Sequence, residues 1–243
     1  MQKALAALFC LWLVLAAGAC ARGPGRDRAE EVYRLLSGRD RTPCSIRGVG
    51  SFRQERGGTS LSGRMAFAAQ TPDKFRVELL SPFGLPVVSL ASDGGKLTLY
   101  SRQDGEFTAA PSGGPVLKKA LGILISPEEL TFLLCGRMPV VRASRTRLTR
   151  EGEEEVLTLS DAWGVVRERL WLAPDLSGAV RAEVFSSFGK KEYEVWLTKR
   201  TDAPDVIRIE GPDGAGLTLT PGRLLLNQEI APETFVLEKP AGR

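Results

Sequence analysis

Apolar and polar side chains alternate along most of the chain after Ser45. Residues 61–67 and 74–79 place an apolar or small side chain at every second position, and the same period returns at 193–197 and 217–219. A two-residue period gives a strand one wet and one dry face, which is typical of antiparallel sheets. The pattern predicts a mainly β protein: one sheet of about ten strands that curls into an unclosed antiparallel β-barrel with its apolar face inside.

Two parts of the chain have a helical period instead. Residues 27–37 predict an amphipathic helix, and residues 113–136 are rich in apolar side chains at helical spacing. The Ser-Pro-Glu-Glu sequence that begins at Ser126 favours a helix start, because it offers a cap, a proline at the first helical position and Glu129 at the third. Gly136 predicts the end of that helix. We expect these helices to cover the concave apolar face as a lid.

The first 20 residues have the organisation of an export signal. Lys3 supplies a positive charge, and the apolar run 4–16 is too short to cross a bilayer as a mature helix. The small residues 17–19 lead to a cleavage site, and Cys20 follows directly. The six residues ending at Cys20 resemble the lipobox of bacterial lipoproteins, whose cysteine thiolate takes up a diacylglycerol group. The alternative is ordinary secretion, with an incidental cysteine at this position.

The lipobox interpretation divides the chain into three parts. Residues 1–19 are a signal peptide, 20–28 an acylated N-terminal tether, and 29–243 one β-rich domain. Several acyl chains on Cys20 would hold the protein firmly on a membrane, since one chain gives only marginal binding. Ala21 stands where an aspartate would favour retention in the inner membrane of enterobacteria. We therefore expect a lipid-anchored protein on the periplasmic face of the outer membrane.

Composition narrows the classes of function. The chain has no histidine, which removes Ser-His and Cys-His triads and histidine-based zinc sites. Its net charge of +4 is interspersed, so no basic face for nucleic acid is indicated. We predict that the protein is not an enzyme and needs no cofactor or metal. The alternative is a hydrolase that uses two carboxylates, but no Asp or Glu pair at a useful spacing supports it. Cys44 and Cys135 could form a disulfide outside the cytoplasm, or remain two buried thiols.

Several segments resemble the LolA/LolB lipoprotein-carrier superfamily, in the order in which that family has them. They are Ile46–Gly50 with Leu61–Phe67 as the opening hairpin, Asp73–Gly84 as a LolB-like strand and turn, Ser126–Pro139 as the counterpart of the family's helix that ends in Leu-x-Gly-x-Pro, and Asn227–Phe235 with Pro240–Gly242 as the closing strand. The resemblance implies a half-barrel lidded by helices, whose apolar hollow binds the acyl chains of other lipoproteins. A LolB-like lipoprotein takes such cargo from a soluble LolA-type periplasmic carrier and helps insert it into the outer membrane.

The resemblance also assigns roles to residues. The turn Pro82, Phe83, Gly84 and Leu85 corresponds to a protruding membrane insertion loop, with Phe83 where LolB has leucine. The alternative is that Phe83 folds back into the core. Candidate acyl-chain-binding residues are the dry-face side chains of the first strands, for which plain core is the alternative. They are Met65, Phe67, Phe75, Val77, Leu79, Val88, Leu90, Leu97 and Leu99.

Other features receive no catalytic role. Trp163, Trp171 and Trp196 are interpreted as core or interfacial rings. The arginines at 142, 145, 147 and 150 predict a solvated strand face, with a docking surface as the alternative. The rival to lipoprotein insertion is an anchored periplasmic sensor or envelope-assembly subunit that uses the same half-barrel to bind proteins. A packed interior would favour this rival.

Overall fold

The structure is a computed structural model, and it describes residues 24–40, 42–112, 115–200 and 204–239. The predicted signal peptide, the lipidation site Cys20 and residues 240–242 lie outside the described residues. The helices are α1 (Pro24–Asp40), α2 (Pro115–Leu121) and α3 (Pro127–Leu134), with short 3-10 helices at Pro212–Gly214 and Pro232–Phe235. The strands of the first half are β1 (Ser45–Arg56), β2 (Thr59–Gln70), β3 (Lys74–Leu80), β4 (Pro86–Asp93), β5 (Lys96–Ser101) and β6 (Phe107–Pro111). Those of the second half are β7 (Arg145–Glu151), β8 (Glu154–Ser160), β9 (Val166–Leu172), β10 (Ala179–Phe185), β11 (Lys191–Thr198), β12 (Val206–Glu210) and β13 (Gly216–Leu226).

All of these strands form one antiparallel sheet. Its order is β6-β5-β4-β3-β2-β1-β13-β12-β11-β10-β9-β8-β7, so β1 and β13 join two meanders and β6 and β7 are the unpaired edges. The predicted unclosed antiparallel sheet is confirmed. It has 13 strands rather than about ten. Edge strands are harder to recognise because they have a neighbour on one side only, and β7 contains a single large apolar side chain, Leu148.

The alternating directions sort the connections into two groups. The turns β1–β2, β3–β4, β5–β6, β8–β9, β10–β11 and β12–β13 lie at one end of the sheet, called here the upper rim. The turns β2–β3, β4–β5, β7–β8, β9–β10 and β11–β12 lie at the opposite end, the lower rim. Because neighbouring strands are antiparallel throughout, this assignment follows from the topology alone.

The core lies on one face of the curved sheet. Met65 pairs with Leu79 and Phe67 with Val77 across β2 and β3, so their side chains share this concave face. One apolar cluster unites buried side chains from both meanders and from the helices. The ring of Phe67 lies across Gly48, where an added Cβ would stand 2.6 Å from the ring's Cζ. A glycine at this position lets the aromatic ring cover the neighbouring strand.

Helices cover the concave face, as predicted. Helix α1 begins at Pro24, earlier than predicted and within the segment interpreted as a tether, and it packs on β7 and β8. Helix α2 follows β6, and its C-terminal end reaches the upper rim, where the Gln54 side chain donates to the carbonyl of Ala120 at 2.9 Å. Helix α3 packs against β2 and β3, inside the curve of the sheet. Each helix therefore covers a different part of the apolar face.

Both ends of α3 are fixed as the sequence indicates. The Ser126 hydroxyl accepts from the backbone N–H of Glu129 at 3.1 Å, and the Glu129 carboxylate accepts from the N–H of Ser126 at 2.7 Å. This reciprocal pair is the predicted capping box. After the helix, Cys135 forms a disulfide with Cys44, with their Cα atoms 6.5 Å apart. The disulfide decides between the two alternatives for these cysteines and ties α3 to the start of β1.

The tail differs from the prediction. Asn227–Phe235 resembles a closing strand, but β13, which ends at Leu226, closes the sheet against β1. Pro232 begins a 3-10 helix because proline fits the first position of a helix and cannot donate to a ladder. This helix lies on the convex face, where Phe235 packs with Ala68 and Ile230. The prediction of a closing strand at 227–235 is therefore wrong, because β13 has that position and the tail that follows it forms a 3-10 helix.

Candidate functional site

The candidate acyl-chain-binding residues share one surface. All nine lie on the concave side of β2, β3, β4 and β5, as the strand register requires. Five are buried: Met65, Phe67, Phe75, Leu90 and Leu97. Four are half-buried: Val77, Leu79, Val88 and Leu99.

Exposure along this surface increases in one direction. On β3, Phe75 is fully buried near the lower rim, whereas Val77 and Leu79 become half-buried toward the upper rim. On β4 the antiparallel neighbour shows the same order, with Leu90 buried and Val88 half-buried. The buried and half-buried residues of β5 follow the same direction. The apolar side chains therefore form a continuous track that leads from the core to the upper rim.

The protein's own helix fills the deepest part of this concavity. Leu130, Leu133 and Leu134 of α3 are buried in the same cluster as the sheet residues. A cleft of about 220 Å³ lies elsewhere, between the end of α1, residues 136–140 and the β9–β10 turn. A second cleft of about 660 Å³ lies on the convex side, between β3–β5 and the tail. The hollow that the resemblance implies is thus packed in this structure, and a hydrocarbon chain could enter it only if α3 moved.

The β3–β4 turn projects from the upper rim beside the track. The Ser81 N–H donates to the Leu85 carbonyl at 2.8 Å, and the Gly84 N–H donates to the Ser81 carbonyl at 2.9 Å. Arg64 donates to the Pro82 carbonyl at 2.8 Å and braces the turn from β2. Gly84 has a φ of +82°, a conformation that favours glycine. Phe83 at the tip is 91% exposed, so its ring does not fold back into the core.

Two further aromatic side chains at the upper rim were not predicted as site residues. Trp163 in the β8–β9 turn is 87% exposed, which excludes the core alternative for this ring, and Phe188 in the β10–β11 turn is 94% exposed. Trp171, by contrast, is buried as predicted. In each exposed case, as at Phe83, a glycine follows the aromatic residue directly. That repeated aromatic-glycine pair is the sequence signal that could have identified them.

A polar cluster lies beneath α3. The hydroxyl of Tyr193 is buried near Glu129, and burial together with the charge of Glu129 raises the pKa of Tyr193 well above the ordinary value. Burial, and then the charge of Glu129, also raise the pKa of Glu192. Glu168 is fully buried on β9 and accepts from the Val141 N–H at 2.9 Å. Glu168 therefore ties the segment after α3 to the second half of the sheet.

The described residues contain no group of three or more histidine, cysteine or acidic residues placed to hold a metal ion. Among the same residues, no helix is both long enough and apolar enough to cross a membrane.

The chain is similar to known proteins in structure but not in sequence. No protein-family model and no curated protein matches the chain. A solved LolA superfamily protein from Nitrosomonas europaea is similar in structure, with a TM-score of 0.57 and 14% identity, over 86% of this chain and 97% of that chain. A putative outer membrane lipoprotein-sorting protein domain from Vibrio parahaemolyticus gives 0.56 and 12%, over 86% and 97%. A DUF1329 family protein from Desulfovibrio piger gives 0.59 and 11%, over 88% and 98%.

These similarities establish the fold of the domain. The chain shares its overall fold with the LolA superfamily protein and with the lipoprotein-sorting domain. Each of the three solved chains is covered almost end to end, so the likeness concerns the whole domain rather than one motif.

Proposed function

We propose that this protein binds the acyl chains of other lipoproteins on its concave face and helps insert them into the outer membrane, as a LolB-like lipoprotein. The observation that carries the proposal is the apolar track on β3–β5, which becomes more exposed toward the rim bearing the Phe83 turn. Burial of hydrocarbon is non-directional and needs no reactive group. The proposed activity is therefore binding and transfer rather than catalysis.

Exchange of α3 for an acyl chain is energetically feasible. Burying each of the three leucines of α3 stabilises its packed position by about 1.5–3 kcal/mol. An acyl chain of about 14 methylene groups gains about 0.8 kcal/mol for each one buried. The leucines of α3 and an acyl chain therefore compete for the same surface with burial free energies of similar size. A near balance suits a carrier, because cargo that binds too tightly could not be released.

The Phe83 turn gives the track a direction. A ring that stands free of the protein can enter the acyl region of a bilayer, where its burial contributes about 1.5–3 kcal/mol. That energy orients a protein at a membrane but does not anchor it. We assign anchoring to acyl chains on Cys20, on the periplasmic face of the outer membrane, and delivery of cargo to a soluble LolA-type carrier.

The test uses the chain from residue 21 onward, which contains every described residue and lacks the anchor. It should bind a fluorescent diacylated lipopeptide and transfer it to phospholipid vesicles. Phe83→Glu should bind the lipopeptide normally and transfer it more slowly, because a carboxylate resists entry into hydrocarbon. Phe83→Leu is the matched control and should retain transfer. Absence of lipopeptide binding would contradict the function, and unimpaired transfer by Phe83→Glu would remove the role of the turn.

A second candidate function is supported by the packed interior. Because α3 fills the concavity, the half-barrel could serve as an anchored periplasmic sensor or envelope-assembly subunit that binds a protein on its surface. This alternative requires no movement of α3. A chain that captures an envelope protein but never binds a diacylated lipopeptide, even when α3 is loosened by substitution, would favour it.

A further inference from the structure

The most exposed apolar side chains of the described residues are concentrated at one place. Phe188, Phe83 and Trp163 exceed all other large apolar side chains there in exposure, and all three stand at the tips of upper-rim turns. Among the described residues, the connections at the lower rim carry no aromatic side chain. The aromatic tips are therefore a property of one rim and not of hairpin turns in general.

The Trp163 and Phe188 turns are built alike. The N–H of Asp161 donates to the Val165 carbonyl at 3.0 Å, and the N–H of Ser186 donates to the Lys190 carbonyl at 2.9 Å. In each turn the first side chain accepts from the backbone N–H of the aromatic residue, at 3.0 Å for Asp161 and 3.3 Å for Ser186. These bonds fix the backbone, so each ring is held outward rather than left to collapse onto the surface.

The two turns are neighbours in the second half of the sheet. A Cβ added to Gly189 would stand 3.7 Å from the Val165 side chain, which places the turns in contact. The Phe83 turn lies in the other half, on the far side of β1 and β13. The rim therefore carries aromatic rings on both sides of the concavity.

Basic side chains surround the pair. Lys190 belongs to the Phe188 turn, and the Arg145 guanidinium lies 3.2 Å from the position of a Cβ on Gly164. Arg167 donates to the Phe185 carbonyl at 3.4 Å, beside the same turn. Within the described part of the chain Lys190 and Arg145 form no ion pair, and Asp161 is occupied by backbone N–H groups. Arg167 lies close enough to the carboxylate of Glu192 to interact with its charge.

We propose that Trp163 and Phe188 form a second membrane-contact site, which docks the upper rim on a bilayer containing anionic phospholipid. Tryptophan and phenylalanine beside lysine and arginine suit the boundary between headgroups and acyl chains, since the rings enter the boundary while the cations meet phosphate. A groove that docks another protein would present a continuous apolar surface, whereas Trp163 and Phe188 stand at the tips of two protruding turns. Membrane contact on both sides of the concavity would hold the upper rim, where the concavity opens, against the bilayer.

The experiment measures binding of the anchor-free chain from residue 21 to vesicles of phosphatidylcholine with phosphatidylglycerol. Trp163→Ser with Phe188→Ser should weaken binding about tenfold or more, because two aromatic contacts are lost. Leu225→Ser with Leu226→Ser is the matched control, since both leucines are exposed at the lower end of β13. The control should bind as the unmodified chain does, and raised salt or pure phosphatidylcholine should weaken binding several-fold.

A second readout does not depend on the folding of the double variant. Trp163 is the one highly exposed tryptophan of the described chain, so vesicles should shift its emission to shorter wavelength and brominated acyl chains should quench it. Equal vesicle binding by the double variant, or an unchanged emission, would overturn the proposal and assign the rim to a protein partner. The vesicles contain no lipoprotein, so failure of cargo binding would leave this result unaffected.

Discussion

Truncation of one buried side chain on α3 should separate the role of this helix as a lid from its role as core. Leu133 is fully buried against the concave face. Replacing it with alanine removes apolar contact between α3 and the sheet and leaves the capping box and the disulfide in place. We predict that Leu133→Ala destabilises the folded protein and, at the same time, increases its affinity for acyl chains.

The two magnitudes follow from burial. A buried leucine truncated to alanine costs about 2–5 kcal/mol of unfolding free energy. The part of this loss that concerns α3 alone, about 2 kcal/mol for the side chain, also lowers the cost of moving the helix away. If only chains with α3 displaced bind hydrocarbon, the fraction of competent molecules, and with it the apparent affinity, should rise roughly 30-fold.

The assay is a titration of the anchor-free chain with a fluorescent diacylated lipopeptide, beside urea unfolding of the same samples. Leu157→Ala is the matched control, because Leu157 is equally buried but lies on β8, in the half of the sheet that α1 covers. It should lose similar stability without gaining affinity. An unchanged or weaker affinity for Leu133→Ala, or an equal gain in the control, would refute the role of α3 as a displaceable lid.

Three further predictions concern the scaffold. Replacing Cys44 and Cys135 by serine should lower the unfolding free energy by up to about 4–5 kcal/mol in urea titrations, since their disulfide spans 91 residues of sequence; an unchanged midpoint would contradict this. Gly50→Ala should lower the unfolding free energy by more than about 2 kcal/mol, because its Cβ would overlap the carbonyl oxygen of Thr220 on β13, whereas Gly38→Ala on α1, with open space around it, should be neutral or stabilising. Burial raises the pKa of Glu192, so ionisation opposes folding and stability falls as pH rises through that pKa. Glu192→Gln should therefore have a higher Tm than the parent at pH 7 and an equal one below about pH 4; a lower Tm at pH 7 would contradict the sign.

The sheet and α3 were predictable because their signals are local. Strict alternation, as in β3, reports burial of one face, and the Ser126 capping sequence carries its own hydrogen-bond partners. The tail was not predictable in the same way. Its apolar residues Ile230 and Phe235 fit a strand, but they pack on the convex face, where only the folded sheet provides a partner such as Ala68.

The candidate site likewise has features that a local pattern predicts and features that depend on the folded structure. The positions of the concave residues follow from strand period, so all nine candidates lie on one face. The filling of that face by α3 depends on packing between distant segments, which no local pattern reports. Exposure of Trp163 and Phe188 also depends on context, because a tryptophan in a sequence is more often buried than free. Only the topology places these two turns and the Phe83 turn on one rim.

Photo-crosslinking from two adjacent positions shows whether acyl chains occupy the concave face. A photoreactive side chain at Val77 points into the concavity, whereas one at Glu78 points to the convex cleft between β3–β5 and the tail. With a diacylated lipopeptide bound, we expect crosslinking to the acyl chains from position 77 and little or none from position 78. Crosslinking from position 78 alone, or equally from both positions, would show that the acyl chains do not bind specifically to the concave face.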